Sequence, residues 1–338
     1  MKPRSLLSTL LLVSLAGLLP AQDAAPWRDP SPHIAQFVSV DENVKLEVLD
    51  WGGVGPPIVL LSGSGNTAHV FDDFAPRLIP QYRVYGITRR GFGASSHPEA
   101  GYSDQRLADD VLAVLDSLKI AKPVLIGHSM AGSEMTTLGV QHSDRLAGLV
   151  YLDAGDDPSN FSGKNPTYQE LFKKLPMTPP AASEADKKSF HAFRERQMRV
   201  MGFAFPESEW RNILTVNPDG TVGPATTTNS VRKAINEGSK KRDYSGIKVP
   251  ILAFFAVDAI KDGWSQYYHF RPSNADERAT LEDIFAADRR YLDQYEGLLR
   301  SGVPNARIVE LAGADHYVFF SNEADVLRDM RDFLARLH

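Results

Sequence analysis

Residues 124–135 read VLIGHSMAGSEM. Val124, Leu125 and Ile126 form a short continuous apolar run, the pattern of a strand buried on both faces. Ser129 follows almost at once, and a helical pattern begins beyond it. The positions two before and two after this serine are Gly127 and Ala131. A strand-to-helix turn this tight strains its central residue, so those neighbours must be small. The turn lifts the hydroxyl above the sheet, and the N-terminus of the next helix aims its N–H groups at the same place.

The same rhythm runs outward from this stretch. FVSVDENVKLEVLDWGG (37–53) reads as two strands around a turn at Asp41-Glu42-Asn43. PPIVLLSGSGN (56–66) and YRVYGITRRGFG (82–93) are strands that end in Gly-rich loops. Ser103 can cap a helix whose Leu107, Val111, Val114, Leu115 and Leu118 recur at helical spacing. LAGLVYLDAG (146–155), VPILAFFAV (249–257) and ARIVELAG (306–313) supply further strands, and residues 322–337 a terminal amphipathic helix. Strands and helices in this alternation predict an α/β fold, a doubly wound and mostly parallel sheet. From 156 to 245 the rhythm breaks into polar, Pro-rich sequence with helical pieces, which predicts a helical cap inserted between two strands. The core thus divides into residues 34–155 and 246–338, and a second helical excursion covers 259–303.

The N-terminus has a different character. Lys2 and Arg4 precede an apolar run from Leu6 to Leu19, then Pro20-Ala21. That order predicts an export signal over residues 1–21 and a Pro-rich linker over 22–33, with the mature protein periplasmic or secreted. The apolar run falls short of the roughly 20 residues a membrane span needs, so no stable membrane insertion is expected after cleavage. The 338-residue chain has no cysteine, which rules out a disulfide framework. A net charge of −5 without a basic stripe speaks against nucleic acid as a partner. Neither a phosphate-binding loop nor a metal-ligand spacing is present, so no cofactor and no metal are expected.

At four places the chain resembles the α/β-hydrolase superfamily: GHSMAG (127–132), LLSGSGN (60–66), RRGFGASS (89–96) and GADHYVFF (313–320). It departs from the usual pattern in having Ala131 at the last glycine of the elbow and Ser62 where an oxyanion-loop histidine is common. The resemblance implies a catalytic Ser129, with His316 as its base. Asp258, after the strand 249–257, is the first candidate for the acid; Asp153 and Asp262 are the alternatives. Backbone N–H groups of Ser64 and Met130 would form the oxyanion hole. His128 reads as a packing or supporting residue, and His69 as a pocket or core residue. Arg90 reads as structural, bonding loop carbonyls.

A serine at the elbow implies attack on an ester-type bond of a small-molecule substrate through an acyl-enzyme. Relatives that open epoxides or remove halides carry aspartate there. Alternatives on the same triad are a proline-releasing aminopeptidase, a carbon–carbon bond hydrolase and a cofactor-free perhydrolase. The first would need cap carboxylates for a substrate amine, and Glu207 and Glu209 are available. A non-catalytic binding or sensor protein is the reading from another class. Phe190, Phe193, Met198, Met201, Phe203, Phe205 and Trp210 either line the cleft or pack the cap, and Trp264, Tyr267 and Tyr268 are candidates for the pocket edge. The oligomeric state stays open.

Overall fold

The computed structural model describes residues 27–157, 165–175 and 181–337. The chain divides into a unit Met1–Pro30, of which only 27–30 are described, and a unit Ser31–His338. The expected export signal, residues 1–21, lies outside the described residues. Every strand and helix among the described residues belongs to the larger unit.

These elements run β1 (Ile34–Asp41), β2 (Val44–Gly52), β3 (Pro57–Leu61), β4 (Arg83–Ile87), α1 (Asp104–Ser117), β5 (Val124–His128), α2 (Ala131–Gln141) and β6 (Gly148–Leu152). Next come α3 (Pro166–Lys173), α4 (Glu184–Lys187), α5 (Phe190–Met201), α6 (Glu207–Ile213), β7 (Leu214–Val216), β8 (Val222–Ala225) and α7 (Asn229–Gly238). The chain returns to the sheet with β9 (Ile251–Val257). It then forms β10 (Ile260–Lys261), β11 (Trp264–Ser265), α8 (Ala275–Gly302), β12 (Arg307–Ala312), α9 (Val318–Ser321) and α10 (Glu323–Leu334).

Eight strands form one sheet in the order β1-β2-β4-β3-β5-β6-β9-β12. From β4 to β12 neighbours are parallel, while the β1–β2 and β2–β4 pairs are antiparallel. The turn between β1 and β2 is closed by Asn43 at φ +59°, a conformation asparagine tolerates well. Successive residues of the central strands face opposite sides. Ile58 and Leu60 join a cluster with Phe71, Phe254, Val326 and Met330. Val59 and Leu61 join one with Val111, Met135, Tyr151 and Leu299. Burial on both faces is why β3, β5 and β6 lack polar alternation. Helix α1 is capped by Ser103, whose side chain accepts from the Arg106 N–H, and it buries Leu107, Val111, Val114 and Leu115.

The strand order decides where a site can form. The chain leaves β3 for β4 on one side and returns to β5 on the other. The loops after β3 and β5 therefore part at the carboxyl edge of adjacent strands, paired at Leu61–Gly127. Such a switch point opens a crevice in doubly wound sheets.

Between β6 and β9 the described residues hold five helices and the small β7–β8 hairpin. The hairpin adds two short, largely exposed strands to the helical pieces expected there, and strands of three and four residues leave too little periodicity to read. The second excursion carries the β10–β11 hairpin and the 28-residue α8, capped by Asn274.

Candidate active site

Ser129 is the first residue beyond β5, and its φ is +52°. Asp153 is the first residue beyond the adjacent β6, and its φ is +47°. Left-handed backbone at a non-glycine residue costs roughly 1–2 kcal/mol, so both turns are held by their surroundings. The Ser129 N–H donates to Leu152 O at 3.3 Å, and Asp153 N–H to Phe254 O at 3.0 Å. The Asp153 Oδ1 atom accepts from Ala256 N–H at 2.9 Å. Each strained residue is thereby fastened to the next strand of the sheet.

His316 sits between β12 and α9. Its Nδ1 atom lies 2.6 Å from Asp153 Oδ2. Burial alone would lower the imidazole's pKa, but the bond and charge of Asp153, with Asp315 and Asp156 adding, hold it above the ordinary histidine value. The neighbouring His128 is fully buried, and burial, with His316 nearby, keeps its pKa well below normal, so it is neutral. Its Nε2–H donates to the His316 carbonyl at 3.1 Å. Its ring packs against His316 and Tyr317, both at 4.6 Å between centroids. His128 is thus a prop beneath the His316 loop.

The acid expected first, Asp258, is not the partner of His316 Nδ1; Asp153 is. Asp153 follows β6, next to the β5 that carries Ser129, and Asp258 follows β9, next to the β12 that precedes His316. Strand order alone therefore does not select the acid; the partner each carboxylate takes does. Asp258 is turned instead toward Asp288 on α8, with which it shares a hydrogen bond. Burial and the Asp288 charge push its pKa well up, so it is protonated near neutrality. Asp288 also accepts from the hydroxyls of Tyr168 and Tyr268. Asp262 is exposed at the tip of the β10–β11 hairpin.

Ser64 and Met130 stand on the two loops that part at the switch point. Met130 is the N-cap of α2. Gly63 is close enough to the elbow that a Cβ there would lie 3.1 Å from Ser129 Cβ. The oxyanion-type loop is braced from several sides. Arg89 donates to Ser62 O at 3.0 Å and pairs with the buried Glu134. Arg90, expected on loop carbonyls, instead makes a bidentate pair with Asp110 at 2.6 and 2.7 Å. The fork of a buried arginine suits a carboxylate in this way.

Glu209 of α6, completely buried, accepts from Asn66 Nδ2 at 2.8 Å, from Thr67 N at 3.1 Å and from the Thr67 hydroxyl. Burial, against these bonds, raises its pKa to about 7. Tyr317 donates to Asn66 Oδ1 at 2.9 Å, so Asn66 links α6 to the His316 loop. Sequence reasoning noticed Glu209 only as a carboxylate available to a substrate. Its partners lie 142 and 143 residues away, with no local signal. Glu207 pairs with Arg211.

A cavity of about 480 Å³ adjoins the His316–Asp153 pair. Phe255, Tyr267, Phe285 and Leu292 give it apolar wall, and Asp156, Asp258 and Asp288 are also on its lining. Tyr268 stacks on Phe285 behind it, and Trp264 packs under Arg271. None of the apolar residues on α5, α6 and the turn between them that were candidates for the cleft lines this space. Phe203 stacks on Phe320 at 5.1 Å, Phe205 meets Tyr317 at 4.9 Å and Phe193 meets Trp210 at 4.8 Å. Phe190 is buried beneath Arg211, and Met198 is half exposed.

Comparison with known proteins agrees with this architecture. A family model described as Alpha/beta hydrolase family matches residues 58–329. The AB hydrolase superfamily protein YisY of Bacillus subtilis is 33% identical over 234 residues, covering 65% of this chain and 80% of that protein. A 2-(acetamidomethylene)succinate hydrolase of Mesorhizobium japonicum is 28% identical over 101 residues, 30% of this chain and 36% of that protein. Several curated relatives are matched over only 35% to 60% of their own lengths. A crystal structure of E-2-(acetamidomethylene)succinate hydrolase superposes with a TM-score of 0.62 at 18% identity, covering 90% of this chain and 99% of the other. At that identity the likeness is one of fold.

Proposed function

The chain belongs to the alpha/beta hydrolase family, and on that premise we propose that it is an exported serine hydrolase cleaving an ester-type bond through an acyl-enzyme on Ser129. The observation that carries the reading is the 2.6 Å bond from His316 Nδ1 to Asp153, the residue after the strand adjacent to the one that Ser129, held at φ +52°, follows. With Nδ1 engaged, His316 presents Nε2 as the base. Ser129 Oγ gives its proton to that nitrogen and attacks the substrate carbonyl. The N–H groups of Ser64 and Met130 receive the oxyanion. The alcohol departs with the proton from His316, and water repeats the sequence to release the acid. Asp153, rather than Asp258, holds the tautomer and faces the imidazolium.

The cavity beside His316 is lined on the Asp153 side of the imidazole and not by Ser129, Ser64 or Met130, so it does not size the acyl group. The aminopeptidase reading loses support, because Glu207 and Glu209 are already engaged by Arg211 and by Asn66 and Thr67. Export rests on the N-terminal order of charge, apolar run and small residues.

The test is labelling by a fluorescent fluorophosphonate, with hydrolysis of aryl esters from acetyl to decanoyl in parallel. Labelling and turnover that vanish in Ser129→Ala are expected. A folded protein that neither labels nor turns over any ester would refute the reading and favour a binding protein.

A further inference from the structure

Apart from the Ser129–His316 site, a second constellation gathers residues that the mechanism does not use. His33 stands just ahead of β1. His69 lies in a short 3₁₀ turn, Ala68–Phe71, and Asp72 caps its C-terminus. Their side chains are 6%, 5% and 2% exposed. One donor atom from each lies within 4.8 Å of the others. Both imidazoles turn Nδ1 toward the Asp72 carboxylate: His33 is 2.7 Å from Oδ1 and His69 is 3.3 Å from Oδ2. The two rings stand at 73° with centroids 4.9 Å apart.

We propose that His33, His69 and Asp72 bind one divalent transition-metal ion of the zinc class. Two imidazoles and a carboxylate are a donor set that zinc accepts, and tetrahedral bonds of about 2.0 Å put neighbouring ligand atoms roughly 3.3 Å apart. The His69–Asp72 separation has that value, whereas His33 Nδ1 and Asp72 Oδ1, at 2.7 Å, are in hydrogen-bond contact and must part by roughly 0.6 Å to share an ion. Charge-assisted hydrogen bonds normally close to about 2.7–2.9 Å, so the His69–Asp72 contact is long for one.

The surroundings are those of a ligand shell held from outside. The far nitrogen of His69, Nε2, faces Glu47 Oε1 at 3.3 Å, the carboxylate–histidine–metal arrangement that orients metal-bound imidazoles. Glu47 is itself fastened by Thr88 Oγ1 at 2.8 Å. Trp51 Nε1 at 3.0 Å and Ser208 Oγ at 2.5 Å donate to Asp72 and set its plane. A tetrahedral ion takes its fourth ligand from outside this trio. The ion joins the entry to β1, the turn after the oxyanion-type loop and, through Ser208, helix α6. Its role is structural. The sequence shows no metal signature because the ligands are 36 and 3 residues apart, a spacing that meets only in the folded chain.

The experiment uses the tag-free full chain, purified without chelator. Metal content is measured by plasma mass spectrometry, and chelator-stripped protein is titrated with Zn²⁺ and with Co²⁺ followed by absorption. About one equivalent is expected, with Tm rising on zinc addition. H33Q, H69Q and D72N should each weaken binding by more than about 100-fold, and E47Q, which removes no ligand, by about 10–100-fold. Circular dichroism checks that each variant is folded. Wild-type protein that purifies without metal and takes up no zinc at micromolar concentration would overturn the proposal by itself, even if a variant failed to fold. Uptake unaffected by H33Q, H69Q and E47Q would overturn it equally, since the ion would then sit elsewhere.

Discussion

Replacing Glu209 by glutamine should change how stability depends on pH, by an amount the structure sets. The Glu209 carboxyl is fully buried, and its pKa rises from 4.5 to about 7 on folding, burial outweighing the bonds from Asn66 and Thr67. Between those two values the folded protein holds one proton more than the unfolded chain. The Glu209 contribution is therefore fully present below the unfolded value and is lost as pH climbs through about 7. At about 1.4 kcal/mol per pH unit the loss comes to about 3 kcal/mol. Glutamine keeps an acceptor for Asn66 Nδ2 and the Thr67 N–H and does not titrate. Urea unfolding of wild type and E209Q across the range from about pH 4 to pH 8.5 gives two curves, and their difference cancels every other carboxyl group. Relative to E209Q, wild type should lose about 3 kcal/mol over that range. E209A should be destabilised throughout, since each buried donor left without an acceptor costs about 1–3 kcal/mol. A flat difference curve would refute the reasoning, because Glu209 would then titrate alike in both states.

The same geometry sets further outcomes. Asp153→Asn should lower kcat by about 10⁴, by presenting the wrong imidazole tautomer to Ser129. Asp258→Asn should leave it within about threefold, since a protonated acid is replaced by a neutral amide; comparable losses in the two variants would return Asp258 to the mechanism. The acidic limb of kcat/KM should have its midpoint above the ordinary histidine value of about 6.5, activity falling as His316 gains its proton. In any residually active Asp153→Asn protein that midpoint should move down. Gly63→Ala would push a methyl group to 2.7 Å from His128 Nδ1 and 3.1 Å from Ser129 Cβ. It should cost about 1–3 kcal/mol of stability by overpacking, read from urea unfolding, and slow turnover.

Much of the fold could be read from local pattern. The buried strands announced themselves as continuous apolar runs, because burial on both faces removes alternation. The elbow announced itself by its small neighbours, because a turn with Ser129 at φ +52° excludes bulk around it. Local spacing also marked Ser103 as a cap and the terminal helix as amphipathic. Choices between chemically equivalent residues depended on tertiary structure. Asp153, Asp258 and Asp262 are three aspartates at or near strand ends, and only the folded placement of the loops after β6, β9 and β12 brings one of them to His316. Arg89 and Arg90 are adjacent in sequence, yet one braces Ser62 and the other is neutralised by Asp110. Glu209 and the His33–His69–Asp72 group join positions far apart along the chain. A pattern confined to one element records which face is buried. It carries no record of which distant donor will meet a given acceptor, and that is settled when the sheet order and the inserted helices bring them within bonding distance.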